Sequence, residues 1–199
     1  MKAIEFWFDF SSAYGYFASH RIDAIAARHE RTVLWRPYML GVAFKATGMR
    51  GLSSTPLRGD YARHDWARLA RLMQVPFRLP PYHPITALPA TRAFYWLEAE
   101  RPDRAIPFAH AAFFAYYGAN RDMTDLATVA EVGAGIGIDR DALLQGMSEP
   151  EIKERAKSIT EAGVAKGVFG SPFFLVDGEP FWGSDRLDML DLWLEKGGW

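Results

Sequence analysis

The sequence predicts an α/β protein in which a β-α-β unit and a β-β-α unit are separated by a long run of helices. The first unit is indicated by residues 4–35, where a strand pattern, a helix pattern and a second strand pattern follow one another. The second unit is indicated by residues 173–194, where two short strands precede an amphipathic helix. Between the two units the apolar residues recur at helical spacing.

The first unit begins with apolar side chains on both faces of residues 4–10, which predicts a buried, central strand. Helical spacing over residues 14–26 then predicts one continuous helix. Residues 32–35 predict a second strand, and Pro37 limits how far that strand can run. A strand-helix-strand unit of this length favours parallel strands joined by a right-handed crossover.

The middle of the chain is predicted to be helical, with an ordered proline-rich connector over residues 76–89. We therefore expect residues 1–40 and 167–199 to form one domain and residues 41–166 to form an all-helical insertion. In the last unit, Asp177-Gly178 is a hairpin signal and Ser184 is predicted to cap the final helix. The predicted helices of the insertion cover residues 60–73, 91–100, 106–117, 124–134, 139–147 and 150–165.

Composition restricts the possible functions. A chain of 199 residues can bury roughly 70% of its unfolded surface, so it needs no disulfide or metal to fold. A net charge of −1 provides no field for nucleic acid or an anionic membrane, and no apolar stretch is long enough to cross a bilayer. There is no cysteine, and no spacing of His, Asp and Glu predicts a metal site. Because Met1-Lys2-Ala3 runs directly into acidic residues, we expect no secretory signal and a cytoplasmic protein.

Two distant segments carry the functional information. Ser12 begins the first predicted helix, and Ser171-Pro172 precedes the third predicted strand. The element order resembles the DsbA-like branch of the thioredoxin fold, in which the first helix starts with Cys-x-x-Cys. Here residues 12–15 read Ser-Ala-Tyr-Gly instead. We therefore expect a thioredoxin-like fold of the DsbA and kappa glutathione transferase type, with an all-helical insertion.

The resemblance becomes more specific when three motifs are taken together. Residues 8–10 read Phe-Asp-Phe and are followed by Ser12, residues 168–172 read Val-Phe-Gly-Ser-Pro, and residues 182–186 read Trp-Gly-Ser-Asp-Arg. In this order and spacing they resemble kappa-class glutathione transferases, and still more closely the 2-hydroxychromene-2-carboxylate isomerases. The resemblance covers essentially the whole chain.

The resemblance implies glutathione as the cofactor and assigns residues to it. Ser12 is then the catalytic residue that contacts the glutathione sulfur. Ser171 precedes a cis-proline, and its backbone pairs with the cysteinyl part of glutathione in an antiparallel manner. The γ-glutamyl end is held around Trp182, Gly183, Ser184 and Asp185.

The substrate side is implied less fully. The loop of residues 50–54, with Ser53, takes the place where relatives often carry Asn near a glycine-rich turn. His83 lies where relatives line the pocket for a small aromatic carboxylate substrate. The chain departs from the family pattern at residues 11–13, which read Ser-Ser-Ala where many relatives have Leu-Ser-Pro.

Simpler interpretations of these residues remain open from the sequence. Ser12 is a favoured helix N-cap in any protein, and Ser11 can equally be that cap. Asp185 suits the first turn of a helix, and His83 suits a surface turn. Since serine cannot exchange disulfides, the Ser12 position either stabilises the thiolate of a bound thiol or is inactive.

The activity implied by the resemblance is glutathione-dependent interconversion of 2-hydroxychromene-2-carboxylate and trans-o-hydroxybenzylidenepyruvate in aromatic catabolism. Two alternatives stay open: a kappa-type transferase acting on electrophiles, and a non-catalytic glutathione-binding module. Relatives are dimers, so we also expect a homodimer, with apolar area supplied by the aromatic-rich helical insertion.

Overall fold

The computed structural model describes residues 3–199. Met1 and Lys2, on which the prediction of no secretory signal partly rests, lie outside the described residues. Four strands form one mixed sheet in the order β2-β1-β3-β4, in which β1 is parallel to β2 and the other two pairs are antiparallel. The strands are β1 (Ala3–Phe8), β2 (Thr32–Pro37), β3 (Phe173–Val176) and β4 (Glu179–Trp182).

The predicted central position of β1 is confirmed. Phe6 lies opposite Trp35 of β2 and opposite Phe174 of β3. Its ring centroid is 5.0 Å from that of Trp35 and 5.3 Å from that of Phe174, and all three side chains are buried. The strand ends at Phe8 rather than Phe10, because the Asp9 N–H donates to the Ser171 hydroxyl instead of to a neighbouring strand.

The predicted single helix after β1 is wrong. The segment forms α1 (Ala13–Ser19) and α2 (Ile22–Arg28) with a break at His20 and Arg21. The Ser19 hydroxyl donates to the Tyr16 carbonyl at 2.7 Å. The His20 N–H, which would reach that carbonyl in a continuing helix, bonds to the Phe17 carbonyl instead. Competition by a serine hydroxyl for a helical acceptor therefore accompanies the end of α1.

The insertion is helical as predicted, with seven α-helices and a short 3-10 turn (Leu52–Ser54) between β2 and β3. The helix α3 has no counterpart among the individual helices predicted from the sequence. The helix that the sequence begins at Thr91 starts three residues earlier, with Pro89 in its first turn, where a missing N–H costs nothing. The seven helices are α3 (Leu40–Thr47), α4 (Arg58–Met73), α5 (Leu88–Glu100), α6 (Pro102–Tyr117), α7 (Leu126–Ala134), α8 (Arg140–Gly146) and α9 (Pro150–Ala165).

One hydrophobic core joins the sheet to the insertion. The ring of Phe113 in α6 lies 5.3 Å from Phe8 and 5.1 Å from Phe10, centroid to centroid. Most aromatic residues of α5 and α6 are buried in this core, while Phe114 is 50% exposed. The insertion therefore uses its aromatic residues for packing, and it leaves little of that aromatic area for a dimer contact. Its division from the rest of the chain as a domain stays a prediction.

The last unit follows the prediction except at its helix start. Asp177 and Gly178 both have positive φ, which matches the type I′ turn of a two-residue hairpin between β3 and β4. The final helix, α10 (Leu187–Lys196), follows a 3-10 turn (Ser184–Arg186). Ser184 is not the N-cap of that helix: Gly183 precedes the 3-10 turn, and no side chain caps either element.

Candidate functional site

A cavity of about 1240 Å³ lies between the start of α1, the Ser171-Pro172 loop and the α3–α4 part of the insertion. Asp9 lines its floor. The structure brings together at this cavity every site residue that the sequence predicts, although they come from five separate segments. Those residues are Ser12, Ser53, His83, Ser171, Trp182, Gly183, Ser184 and Asp185.

Ser12 is the N-cap of α1, so Ser11 is not. Its Oγ accepts a hydrogen bond from the Gly15 N–H at 3.0 Å, as N-cap side chains do. The same hydroxyl donates to the Ser171 carbonyl at 2.8 Å, across 159 residues of sequence. The simpler interpretation of Ser12 is therefore correct as far as it goes, but the hydroxyl also connects the two functional segments.

The Ser171-Pro172 peptide bond is cis, as the sequence analysis expects. The Ser171 hydroxyl accepts from the Asp9 N–H at 2.9 Å, and the Ser171 carbonyl is the acceptor for Ser12. A serine hydroxyl has a single proton, so Ser12 can donate either to this carbonyl or to a ligand atom, but not to both at once. The carbonyl oxygen has two lone pairs, so a ligand N–H releases the Ser12 proton only if it displaces Ser12 from this carbonyl.

Asp9 is a site residue that the sequence analysis contains only as part of a motif. Its carboxylate accepts from the Ser11 N–H at 2.8 Å and from the Leu40 N–H at 3.0 Å. It thereby joins the loop after β1 to the loop after β2. Only 7% of Asp9 is exposed, and burial raises its pKa from 3.8 to about 6 although both hydrogen bonds lower it. The sequence signal that could have identified Asp9 is its position between Phe8 and Phe10, two large apolar residues that predict burial of the carboxylate.

The segment after β4 forms one rim of the cavity. The Gly183 N–H donates to the Pro172 carbonyl at 3.1 Å, which extends the β3–β4 pairing to the cis-proline. Gly183 has φ of 112°, and a Cβ there would lie 2.4 Å from an Asp185 carboxylate oxygen, so this position requires glycine. Trp182 is 48% exposed, and its indole covers Gly170, where a Cβ would lie 2.1 Å from Nε1.

Asp185 is held loosely. Its carboxylate pairs with Arg186 at 3.2 Å, and its side chain is 73% exposed. An exposed ion pair of this kind contributes little free energy, so an incoming cation can displace Arg186 at small cost. Ser184 lies beside it in the same 3-10 turn and also lines the cavity.

His83 lies against the cavity wall, so the surface-turn interpretation is wrong. Its ring is 5.5 Å from Trp66 in an edge-to-face arrangement, and its Nδ1 is 3.1 Å from the Tyr116 hydroxyl. Burial, followed by the nearby Arg63 guanidinium, lowers the pKa of His83 from 6.5 to about 4. His83 is therefore neutral at physiological pH.

The insertion side of the cavity is basic. Lys45, Arg50 and Arg58 line it, and within the described residues none of the three pairs with a carboxylate. Ser53 lies between them in the 3-10 turn, and its carbonyl approaches Arg63 at 3.4 Å. These three residues give the insertion side of the cavity a positive charge.

Residues 3–199 provide neither a metal site nor a membrane-spanning helix. No group of three or more His, Asp or Glu side chains there is arranged to hold a metal ion. Nor does that part of the chain contain a helix long and apolar enough to cross a membrane.

Comparisons with known proteins agree with this geometry. The family model of the DSBA-like thioredoxin domain matches residues 3–195. The chain is 28% identical to a 2-hydroxychromene-2-carboxylate isomerase of Sphingobium xenophagum over 97% of this chain and 98% of that protein. It is 23% identical to human glutathione S-transferase kappa 1 over 95% of this chain and 89% of the human protein. It is 24% identical to glutathione S-transferase kappa 2 of Caenorhabditis elegans over 95% of this chain and 90% of that protein. A solved structure of 2-hydroxychromene-2-carboxylate isomerase, 26% identical, superposes with a TM-score of 0.88 over 98% of this chain and 95% of that one.

Proposed function

The chain belongs to the family of DSBA-like thioredoxin domains, and within this family we propose that it is an isomerase that uses glutathione as its cofactor. The proposed reaction interconverts 2-hydroxychromene-2-carboxylate and trans-o-hydroxybenzylidenepyruvate. Its support is the set of relatives that carry the name of this isomerase and the more distant relatives named glutathione S-transferase kappa. The alignments extend over nearly the full length of both chains.

The observation that carries the proposal is the hydrogen bond between Ser12 and Ser171. A disulfide-exchanging protein of this fold needs a cysteine at the start of α1, and this chain has none. The chain keeps the rest of that arrangement: a hydroxyl at the helix start faces the backbone of the residue before a cis-proline. Such a site suits a ligand that carries its own thiol group.

The residues present fit glutathione. The Ser171 carbonyl already accepts a hydrogen bond from Ser12, and a ligand N–H can replace that donor. Asp185, with its exposed and weakly held carboxylate, can receive the ammonium of the γ-glutamyl group. Trp182, Gly183 and Ser184 form the adjoining rim.

When bound, glutathione would supply a thiolate for reversible addition to the conjugated double bond of the substrate, which would let this bond rotate before elimination returns the thiol. The chain's contribution starts at Ser12. Once a ligand N–H takes the Ser171 carbonyl, the Ser12 hydroxyl can donate to the thiolate, while the Gly15 N–H keeps the oxygen in place. A hydrogen bond to the charged form lowers the pKa of a thiol.

The substrate is placed by the opposite wall. The proposed substrate carries a carboxylate, and Lys45, Arg50 and Arg58, which pair with no carboxylate among residues 3–199, line the cavity. Ser53 and His83 are the polar residues proposed to contact it. The cations also favour entry of an anion by attracting it before contact.

The test is to mix the purified protein with 2-hydroxychromene-2-carboxylate, with and without glutathione, and to follow substrate, product and free thiol. We expect isomerisation that requires glutathione and leaves the thiol concentration unchanged. Equal rates with and without glutathione would reject the proposal. A conjugate with stoichiometric thiol loss would indicate a kappa-type transferase, and calorimetric binding of glutathione without turnover would indicate a binding module.

We also propose a cytoplasmic location, because the cytosol keeps small thiols reduced and the proposed chemistry needs the thiol form. Fractionation of cells that express the full-length protein tests this. Recovery in the secreted or membrane fraction would contradict it.

A further inference from the structure

Asp9 lies at the junction of the segments that form the proposed glutathione site. Its N–H donates to the Ser171 hydroxyl at 2.9 Å, and its carbonyl accepts from the Ser12 N–H at 2.9 Å. One oxygen of its carboxylate accepts from the Ser11 N–H at 2.8 Å, and the other accepts from the Leu40 N–H at 3.0 Å. The carboxylate is therefore bonded to the residue next to Ser12, and Asp9 lines the same cavity.

No positive charge compensates this carboxylate. Its two hydrogen-bond donors are neutral amides, and within residues 3–199 it forms no ion pair. The titratable groups that face it are the phenols of Tyr38 after β2 and of Tyr116 and Tyr117 in α6. Burial raises the pKa of each phenol and the charge of Asp9 raises it further, so all three keep their protons. None of the cations that line the cavity pairs with Asp9 or lowers its pKa; they are Arg21, Lys45, Arg50, Arg58 and Arg186.

A second negative charge nearby would change the protonation of Asp9. In the ligand-free protein burial raises the pKa of Asp9 to about 6, so the carboxylate is ionised near neutral pH. A thiolate in contact with Ser12 would lie roughly 6 to 8 Å from this carboxylate, because consecutive Cα atoms are about 3.8 Å apart. At an effective dielectric constant of about 20, a like charge at that distance raises a carboxyl pKa by about one to two units. The Asp9 carboxyl would then hold a proton near neutral pH.

We propose that Asp9 is the proton acceptor of this site, whose carboxylate takes up the proton that the thiol of bound glutathione loses. The inference rests on the proposed binding of glutathione at Ser12. The S–H bond breaks, its electron pair stays on sulfur, and the proton ends on a carboxylate oxygen of Asp9. Each of these oxygens accepts a single N–H and so retains a lone pair for the proton. When glutathione leaves, the proton returns to sulfur.

The consequence is that the thiol ionises without adding charge to the site. The site holds one negative charge before the transfer, on Asp9, and one after it, on sulfur, so two like charges never lie side by side in a buried place. Since solvent gains no proton, the thiolate fraction changes little with pH between the two macroscopic pKa values of the pair. Ser12 then stabilises the thiolate, while Asp9 stores the proton.

The first test uses the wild-type protein and needs no turnover. Carbon-13 NMR of the Asp9 carboxyl group gives its titration midpoint in the free protein, with glutathione and with S-methylglutathione, which has no thiol to ionise. We expect a midpoint near 6 in the free protein and with S-methylglutathione. With glutathione the midpoint should be about one to two units higher. Equal midpoints with the two ligands would overturn the assignment.

The second test counts protons. Calorimetry of glutathione binding near neutral pH, in buffers that differ in ionisation enthalpy, gives the protons released to solvent, and ultraviolet absorbance gives the thiolate formed. We expect well under one proton per thiolate in the wild type and about one in Asp9→Asn, which cannot take up the proton. Asp141→Asn is the matched control, because Asp141 is exposed, pairs with Arg140 and does not line the cavity. One proton released per thiolate in the wild type would overturn the assignment.

Failure of this assignment is distinguishable from failure of the proposed function. If calorimetry shows no binding of glutathione, both fail. If glutathione binds and raises the Asp9 midpoint but 2-hydroxychromene-2-carboxylate is not isomerised, the isomerase function fails and the role of Asp9 stands. If the wild type isomerises the substrate with glutathione while the Asp9 midpoint stays near 6, only the role of Asp9 fails.

Discussion

The Ser12 hydroxyl donates to the Ser171 carbonyl at 2.8 Å, and this bond joins the start of α1 to the loop before β3. The Ser12 hydroxyl is the group that would stabilise a bound thiolate, and the Ser171 carbonyl is the group that would pair with a ligand backbone; without a ligand the two bond to each other. A ligand N–H that displaces Ser12 from this carbonyl frees the hydroxyl to donate to the ligand, whereas a ligand N–H that takes the second lone pair of the carbonyl leaves Ser12 where it is. The Gly15 N–H, which donates to the same oxygen, keeps Ser12 in position throughout.

The first prediction concerns Ser12→Ala. Loss of a hydrogen bond to a charged group costs about 1.5–3 kcal/mol, so the pKa of bound glutathione should rise by about one to two units. Turnover near neutral pH should fall roughly ten- to hundredfold and recover in part at high pH. The measurement is the pH-rate profile. Loss of the N-cap should also lower the free energy of unfolding by about 0.5–2 kcal/mol.

The control for Ser12→Ala is Ser148→Ala. Ser148 is exposed near the end of α8 and donates only to the Leu144 carbonyl, away from the cavity. Its removal should leave the pH-rate profile unchanged. If Ser12→Ala lost stability alone and kept its rate, Ser12 would be a helix cap and nothing more.

The second prediction concerns Ser12→Cys. A cysteine at an N-cap lies beside free helix amides, which lower the pKa of its thiol. We expect the variant to form a mixed disulfide with oxidised glutathione, detected as a mass increase of one glutathionyl group that dithiothreitol reverses. Ser148→Cys is the matched control, because it places an exposed cysteine away from the cavity. Equal reactivity of the two variants would show that the Ser12 position neither binds glutathione nor activates a thiol.

The third prediction concerns Asp9 and pH. Its pKa is about 6 when folded and 3.8 ordinarily, so between these values the folded protein binds more protons than the unfolded chain. The contribution of Asp9 to stability is full below about pH 4 and declines as the pH rises through 6, by roughly 3 kcal/mol. Urea unfolding of wild type and Asp9→Asn at several pH values measures this, since Asn lacks the titration. A carboxyl carbon-13 titration of Asp9 with its midpoint near 4 would contradict the prediction.

The fourth prediction concerns the basic wall. In Arg58→Gln we expect KM for the carboxylate substrate to rise about two- to fivefold, the effect of one exposed ion pair, with kcat little changed. The rise should shrink at high salt, which screens exposed charges. Arg71→Gln is the control, because Arg71 lies on the same helix, is exposed and does not line the cavity. Equal KM values for the two variants would remove Arg58 from the substrate site.

The fifth prediction is that the protein is a homodimer. Most of the insertion's aromatic residues are buried, and Phe114 is the large exposed aromatic residue of α6. Exposed apolar side chains also occur on and after α10, at Met189, Leu192 and Trp199. Sedimentation at micromolar concentration should give a species near twice the 22.5 kDa monomer mass. A single species at the monomer mass would contradict this prediction.

Several parts of the fold were accessible from the sequence because they depend on local patterns. Short apolar runs with side chains on both faces predicted β1 and β3, and the 3.6-residue period predicted α4 to α9 to within a few residues. The break between α1 and α2 was not accessible. It accompanies the bond from the Ser19 hydroxyl to the Tyr16 carbonyl, and a helical pattern of apolar residues contains no information on that choice.

By itself the sequence determined the order of the β-α-β unit, the helical insertion and the β-β-α unit, and the buried face of most elements; its family resemblance pointed to eight of the residues that meet at the cavity, but not to Asp9. Tertiary structure alone decided the hydrogen bond from Ser12 to Ser171, the raised pKa of Asp9 and the lowered pKa of His83. The reason is physical. Backbone periodicity is a property of neighbouring residues, whereas proton positions and pKa values depend on burial and on partners that lie far away in the chain.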